Sequence, residues 1–141
     1  MASVVYNAYK ARQLGLGTLI EDGDTIKVAL VTSSYTPDVD AHDFFDDITN
    51  EVTGTGYTAG GATLSGVTVS QDNTDNEGML DATDTSWATS TITARGAVIY
   101  KSTGVASTSP LIAYIDFGSN YSSTAGTFLI TWAAEGIINL G

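Results

Sequence analysis

The sequence predicts an all-β chain: an antiparallel β-sandwich or jelly roll with one short N-terminal helix. Three observations lead there. From residue 26 onward apolar residues recur at every second position, the period of strands that turn one face to a core. Val, Ile, Thr, Tyr and Phe fill these runs, while Gly, Asp, Asn, Ser and Pro divide them. The length, 141 residues with 43% hydrophobic content, is most simply one domain spanning 1–141. A chain of that size buries about 68% of its extended surface on folding.

The elements follow in order. In "SVVYNAYKARQL", Val4, Val5, Ala8, Tyr9 and Ala11 fall near helical spacing, and "GLG" at 15–17 supplies a stop, so 1–17 reads as a short helical arm. "DTIKVALVTSS" alternates Ile26, Val28 and Leu30 on one face with Ala29 and Val31 on the other. "GATLSGVTVS" sets Leu64 apart from Val67 and Val69, with a bulge expected at Gly66. "GMLDA" and "TSWATST" are shorter candidates. "ITARGAVIYK", "LIAYIDF", "TFLITWAA" and "GIINL" complete about eight strands. The expected core includes Val28, Leu30, Val98, Ile115, Phe128, Ile130 and Trp132. Several strands are apolar on both faces, which requires a cover on each side, from the N-terminal helix or from a partner molecule. The segment 35–61 has no regular pattern, and a loop that long in a compact domain reads as a functional loop or contact arm.

Charge narrows the functions. Sixteen acids against five bases give a net charge of −11. Nucleic acid binding needs Lys and Arg to displace counterions from phosphates, so no nucleic acid partner is expected. The same sign argument excludes anionic membrane surfaces, and no apolar run approaches the roughly 18 residues of a membrane helix. The start lacks a basic lead and a continuous apolar stretch, so no signal peptide is expected. Cysteine is absent, which removes disulfides and thiolate metal sites.

One stretch concentrates chemistry. "TPDVDAHDFFDDITNEV" holds six acids and the chain's single histidine, His42. Asp40 and Asp43 flank that imidazole and could orient it for proton transfer. A hydrolase also needs a nucleophile on a defined turn, and no G-x-S-x-G pattern occurs. The expectation is therefore no enzyme and no catalytic residue, with His42 solvated or held by local hydrogen bonds. Asp38, Asp40 and Asp43 offer hard oxygen donors as weak calcium candidates. "QDNTDNEGMLDATD" echoes an EF-hand loop through Asp75, Glu77 and Gly78, but its twelfth position is Asp84 rather than a bidentate Glu. Acidic turn residues facing water are the plainer reading of both stretches, and no cofactor is expected. Asp46, Asp47 and Glu51 could pair as in glycosidases, a pattern of little specificity among sixteen acids. "GTGYTAGG" reads as tight turns rather than a phosphate cradle, since no helix and no Lys follow it as a P-loop requires. Trp132 fits the core; Trp87, in a Ser/Thr-rich run, could stack on a sugar ring.

Four stretches together resemble a family of small virion structural proteins of tailed bacteriophages: "VVYNAYKARQLG…DGDTIKVALVTSSYTP", "HDFFDDITNEVTGTGYTAGGATL", "GAVIYKSTG…SPLIAYIDFG" and "ITWAAEGIINL". The likeness spans nearly the whole chain, with 71–90 the least distinctive part. Asp46, Asp47, Asn50, Glu51, Gly54, Gly56, Tyr57, Gly60 and Gly61 resemble the family's loop. The resemblance implies a virion component assembled in the bacterial cytoplasm, with no catalytic residues to carry over. Its implied partners are the major capsid protein or other virion proteins, and further copies of itself as a homo-oligomer. Charge favours a capsid decoration or cement protein outside the head, because −11 would be repelled by packed DNA inside it. Neck, tail or fibre components are the alternative, and a carbohydrate-binding module is another. Apolar residues ringed by acids have the make-up of an interface, so Phe44, Phe45, Ile48 and Tyr57 are the expected protein contacts, with Tyr6 and Tyr9 behind them.

Overall fold

The structure, a computed structural model, describes residues 2–14 and 24–140; the expected "GLG" stop lies outside them. Among the described residues it is an antiparallel β-sandwich with one short α-helix. The elements are β1 (Val4–Val5), α1 (Asn7–Gln13), β2 (Ile26–Val31), β3 (Ala62–Thr63), β4 (Thr68–Asp72), β5 (Glu77–Asp81), β6 (Thr85–Lys101), β7 (Leu111–Ile130) and β8 (Ile138–Leu140). The larger sheet runs β1-β7-β6-β2-β3 and the smaller β4-β5-β8. This division into five and three strands differs from the two four-stranded layers of a jelly roll.

The strand partition differs from the expected one. "TSWATST" and "ITARGAVIYK" form one strand, β6, and "LIAYIDF" runs on through "TFLI" as β7. The reason is a paired irregularity. Opposite Ser90 and Gly126 the register slips first on β6 and then on β7, with Thr89 (φ 51°) and Ala125 (φ 46°) in the left-handed region. Two opposed bulges let both strands bend together without ending the ladder. Buried Ser90 ties the bend: its Oγ lies 2.7 Å from Ser123 Oγ and donates toward the carbonyls of Trp87 and Gly126. Gly66 is not a bulge. At φ +62° it turns the chain from β3 in one sheet to β4 in the other. At the N-terminus, Val4 and Val5 pair with Tyr114 and Ala113 as a strand, and the helix starts only after Tyr6. β-branched residues suit a sheet edge better than a helix.

The larger sheet is apolar on both faces, and both are covered by this chain. One face meets the smaller sheet and α1: Ile26, Val28, Leu30, Ile92 and Ile99 cluster with Leu80, Ile138 and Tyr9. On the other face Ala29, Val31, Val98 and Leu111 cluster with Tyr6, Tyr35 and Tyr114. Phe45 and Ile48, from the long loop, pack against that second cluster. The second cover is the loop, joined by Tyr6 of the N-terminal segment. Val28, Leu30, Val98, Phe128 and Ile130 are buried as expected. Ile115 and Trp132 are only partly buried at the margin of the core.

One ion pair gives the sheet a pH dependence. Arg95 Nε donates to Asp116 Oδ1 at 2.8 Å across β6 and β7, and the Gly118 N–H donates to the same oxygen at 3.0 Å. The guanidinium first, and then the amide, hold the Asp116 carboxyl down to about 2. A depressed folded-state value stabilises the fold above the ordinary carboxylate range. That contribution is lost as pH falls from about 4 toward about 2. The stability difference between wild type and Asp116→Asn, followed by urea unfolding, should therefore be full at neutral pH and shrink toward pH 2.

Candidate functional site

The segment 35–61 is laid over the larger sheet and fastened at both ends. At its far end Glu51 is the strut: Oε1 accepts from Tyr57 Oη (2.7 Å) and from the Gly60 N–H (2.6 Å). Tyr57 Oη in turn accepts from the Leu30 N–H of β2 at 2.9 Å, and Tyr100 of β6 donates to the Gly60 carbonyl at 2.6 Å. Burial raises the Tyr57 hydroxyl far above its ordinary range, and the Tyr100 hydroxyl to about 12. Neither phenol ionises near neutrality, so both act as fixed neutral hydrogen-bonding groups. Glycine makes the close approach possible. Side chains at Gly54, Gly56 and Gly61 would run into the backbones of Thr91, Ser90 and Val28. The glycine cluster thus serves backbone-to-backbone contact, which refines the reading as simple tight turns.

The near end is organised around His42. Its Nδ1 accepts from the Asp38 N–H at 3.2 Å, so the ring proton of neutral His42 belongs on Nε2. Tyr35 Oη lies 3.0 Å from the same nitrogen and 2.8 Å from Tyr6 Oη, forming a chain Tyr6 to Tyr35 to His42. Burial raises both tyrosines, Tyr35 to about 12. The His42 ring also stacks on Tyr35 with centroids 5.8 Å apart. This is the locally hydrogen-bonded histidine of the sequence reading, and no serine or cysteine nucleophile takes part. His42→Ala should cost about 1 kcal/mol, the value of a lost hydrogen bond. Urea unfolding of the two proteins measures it.

The acids have separate duties. Asp38 Oδ1 accepts from the Asp40 and Ala41 N–H groups, and Asp40 Oδ1 from Asn7 Nδ2. Asp47 Oδ2 accepts from the N–H groups of Asp43 and Phe44; the Asp43 amide above all holds its carboxyl below the usual range. Desolvation and the neighbouring Asp47 raise Asp43. Among the described residues, no three acidic or imidazole side chains converge as metal ligands, so Asp38, Asp40 and Asp43 do not form the calcium cage considered from sequence. The second acidic stretch is the β4–β5 hairpin, where Asp72 Oδ1 caps the Thr74 and Asp75 amides and Asn76 takes φ 60°. Of the acids that could pair as in glycosidases, Asp47 and Glu51 are engaged in loop bonds.

The expected contact residues are largely spent inside the chain. Phe45 stacks on Tyr100 with centroids 4.1 Å apart, and Ile48 packs beside it. Phe44 lies 4.9 Å under the Arg12 guanidinium and bridges to Pro110. Tyr57 is half-buried, Tyr9 is buried, and Tyr6 has no exposed surface. Such side chains hold the loop down, while Phe44, Phe45, Ile48 and Tyr57 keep part of their surface exposed. Removing Phe44 and Phe45 together would weaken this domain itself. What the sequence reading missed is an exposed apolar strip on β7, with Tyr121 at 55% and Leu129 at 57% exposure beside the groove at Phe117. Comparison with protein-family models, with curated proteins and with solved structures finds no match.

Proposed function

We propose that this chain is a structural component of a tailed bacteriophage virion, bound on the outside of the head as a decoration or cement protein. The observation that supports it best is the loop that carries the resemblance. Asp47, Glu51, Tyr57 and Gly60 fasten it to the sheet, with Gly54, Gly56 and Gly61 allowing the close fit, so the segment forms a fixed surface. A rigid surface with its side chains committed to internal bonds suits adhesion to a particle better than turnover of a substrate. The charge of −11 favours the outer face of a shell over its DNA-filled interior. The partner is then the major capsid protein, and assembly takes place in the host cytoplasm.

Antibody raised against the purified chain, gold-labelled and applied to intact particles, tests this reading. Label spread over the whole head is the expected result. Label at a single vertex or along the tail would select a neck, tail or fibre role instead. Particles that carry none of the chain would remove the virion reading altogether. A carbohydrate-binding module is less favoured, since Trp87, the residue best suited to stack on a sugar, is 6% exposed.

A further inference from the structure

We propose that two copies of this chain associate by antiparallel pairing of the open edge of β7, over Tyr121–Ile130. β7 is bonded along one side to β6, but on its other side β1 covers only Ala113 and Tyr114. From Phe117 to Ile130 no backbone group of any other described strand reaches that second side. An exposed strand edge is a row of unpaired donors and acceptors, and natural proteins usually guard it with Lys, Pro or an inward charge. None of these is present between Phe117 and Ala134. The strip carries apolar side chains instead: Leu129 and Tyr121 are exposed, and a groove of about 380 Å³ lies between Phe117, Tyr121, Leu129 and Thr131.

Charge identifies the occupant. At −11, two copies repel over most orientations. Both strands of the outer half of the β6–β7 hairpin, Thr85–Ala94 and Phe117–Ile130, contain no Asp, Glu, Lys, Arg or His. There a second copy can approach without setting carboxylates against carboxylates, and its own strip is the matching neutral, apolar surface. A basic partner would find no counter-charge on this strip. The existing β1–β7 pairing shows the same edge already accepting an antiparallel strand. The irregularities at Gly118 (φ 83°) and Ala125 break the edge into short straight runs. Such bulges limit how far pairing can extend. A two-fold contact uses the same patch on both copies and so closes as a dimer rather than growing as a fibre.

This inference stands apart from the virion reading, because purified protein alone tests it. Sedimentation velocity over a concentration series should give a reversible monomer–dimer equilibrium that strengthens with added salt as the −11 repulsion is screened. Leu129→Lys, which puts a charge on the edge, should weaken dimerisation at least about tenfold while leaving the far-UV circular dichroism unchanged. Hydrogen exchange on the wild type is a second readout that needs no variant. Amides within Tyr121–Ile130 that bond outward should become protected as concentration rises. A wild type that remains monomeric throughout, or a dimer indifferent to Leu129→Lys with these amides unprotected, would overturn the proposal. Pairing with a different virion protein would then be the reading left for this edge.

Discussion

Gly61→Ala should be the most damaging small substitution in the chain. Gly61 stands at φ +79°, and an added Cβ would press into the Val28 carbonyl, 2.7 Å from the Ala29 Cα. Neither contact is a flexible side-chain tip; both are backbone of β2, the buried strand between β6 and β3. To relieve the clash the loop must lift, and lifting it breaks the Glu51–Gly60 and Tyr100–Gly60 bonds next door. Left-handed strain together with overpacking should cost about 3–5 kcal/mol. Gly104→Ala is the control. Gly104 has φ +88° but nothing within 4 Å of its added methyl, so only the strain applies, about 1–2 kcal/mol. Urea denaturation of both variants separates the two terms, and equal midpoints would mean that the loop does not bear on β2 as described.

Trp87→Ala should come next, with a loss of about 3–5 kcal/mol for emptying a buried indole site. Trp87 is 6% exposed and packs between Tyr57 and Phe128, with centroids 6.0 and 6.1 Å away. It therefore joins the loop to the outer half of the hairpin. Trp132 is the natural comparison. It is partly buried, and its Nε1 donates to the Thr83 carbonyl at 3.1 Å. Trp132→Ala should cost about 1–2 kcal/mol, a hydrogen bond with part of a side chain's burial. Near-UV circular dichroism with denaturant titration of the two variants would rank them. The opposite ranking would contradict the burial just described.

The two tryptophans show what the sequence could and could not convey. Period-two alternation identified the strands and placed Val28, Leu30, Val98, Phe128 and Ile130 inside, because those positions depend on local pleat alone. Trp132 follows the same alternation as Phe128 and Ile130, yet it comes two residues after the end of β7. Trp87 has small hydroxyl neighbours on its strand, and its burial depends on Tyr57, a residue thirty positions away. Long-range partners also explain the loop. "DDITNEVTGTGY" has the residue types of turns, and turns were legible. That Glu51 and Tyr57 would be committed to β2 rather than offered to a neighbour was not, because the pattern of an apolar patch ringed by acids is the same in both cases. The merging of four expected strands into β6 and β7 was hidden too. Nothing local in "TSWATST" or in the run between "LIAYIDF" and "TFLI" shows that the slip near Ser90 is answered by one near Ala125, and that opposed pair is what lets the ladder run on.

The pairing of Val4 and Val5 with Tyr114 and Ala113 sets an order of events during synthesis. A ribosome adds about 5–20 residues per second. The first strand is therefore made several seconds before its partner exists, and until then its valines have no sheet to join. β6 and β7 are joined by a short connection and can zip as soon as they emerge, whereas β1 must close a loop of nearly the whole chain. The N-terminal segment should therefore dock only after β6 and β7 have paired.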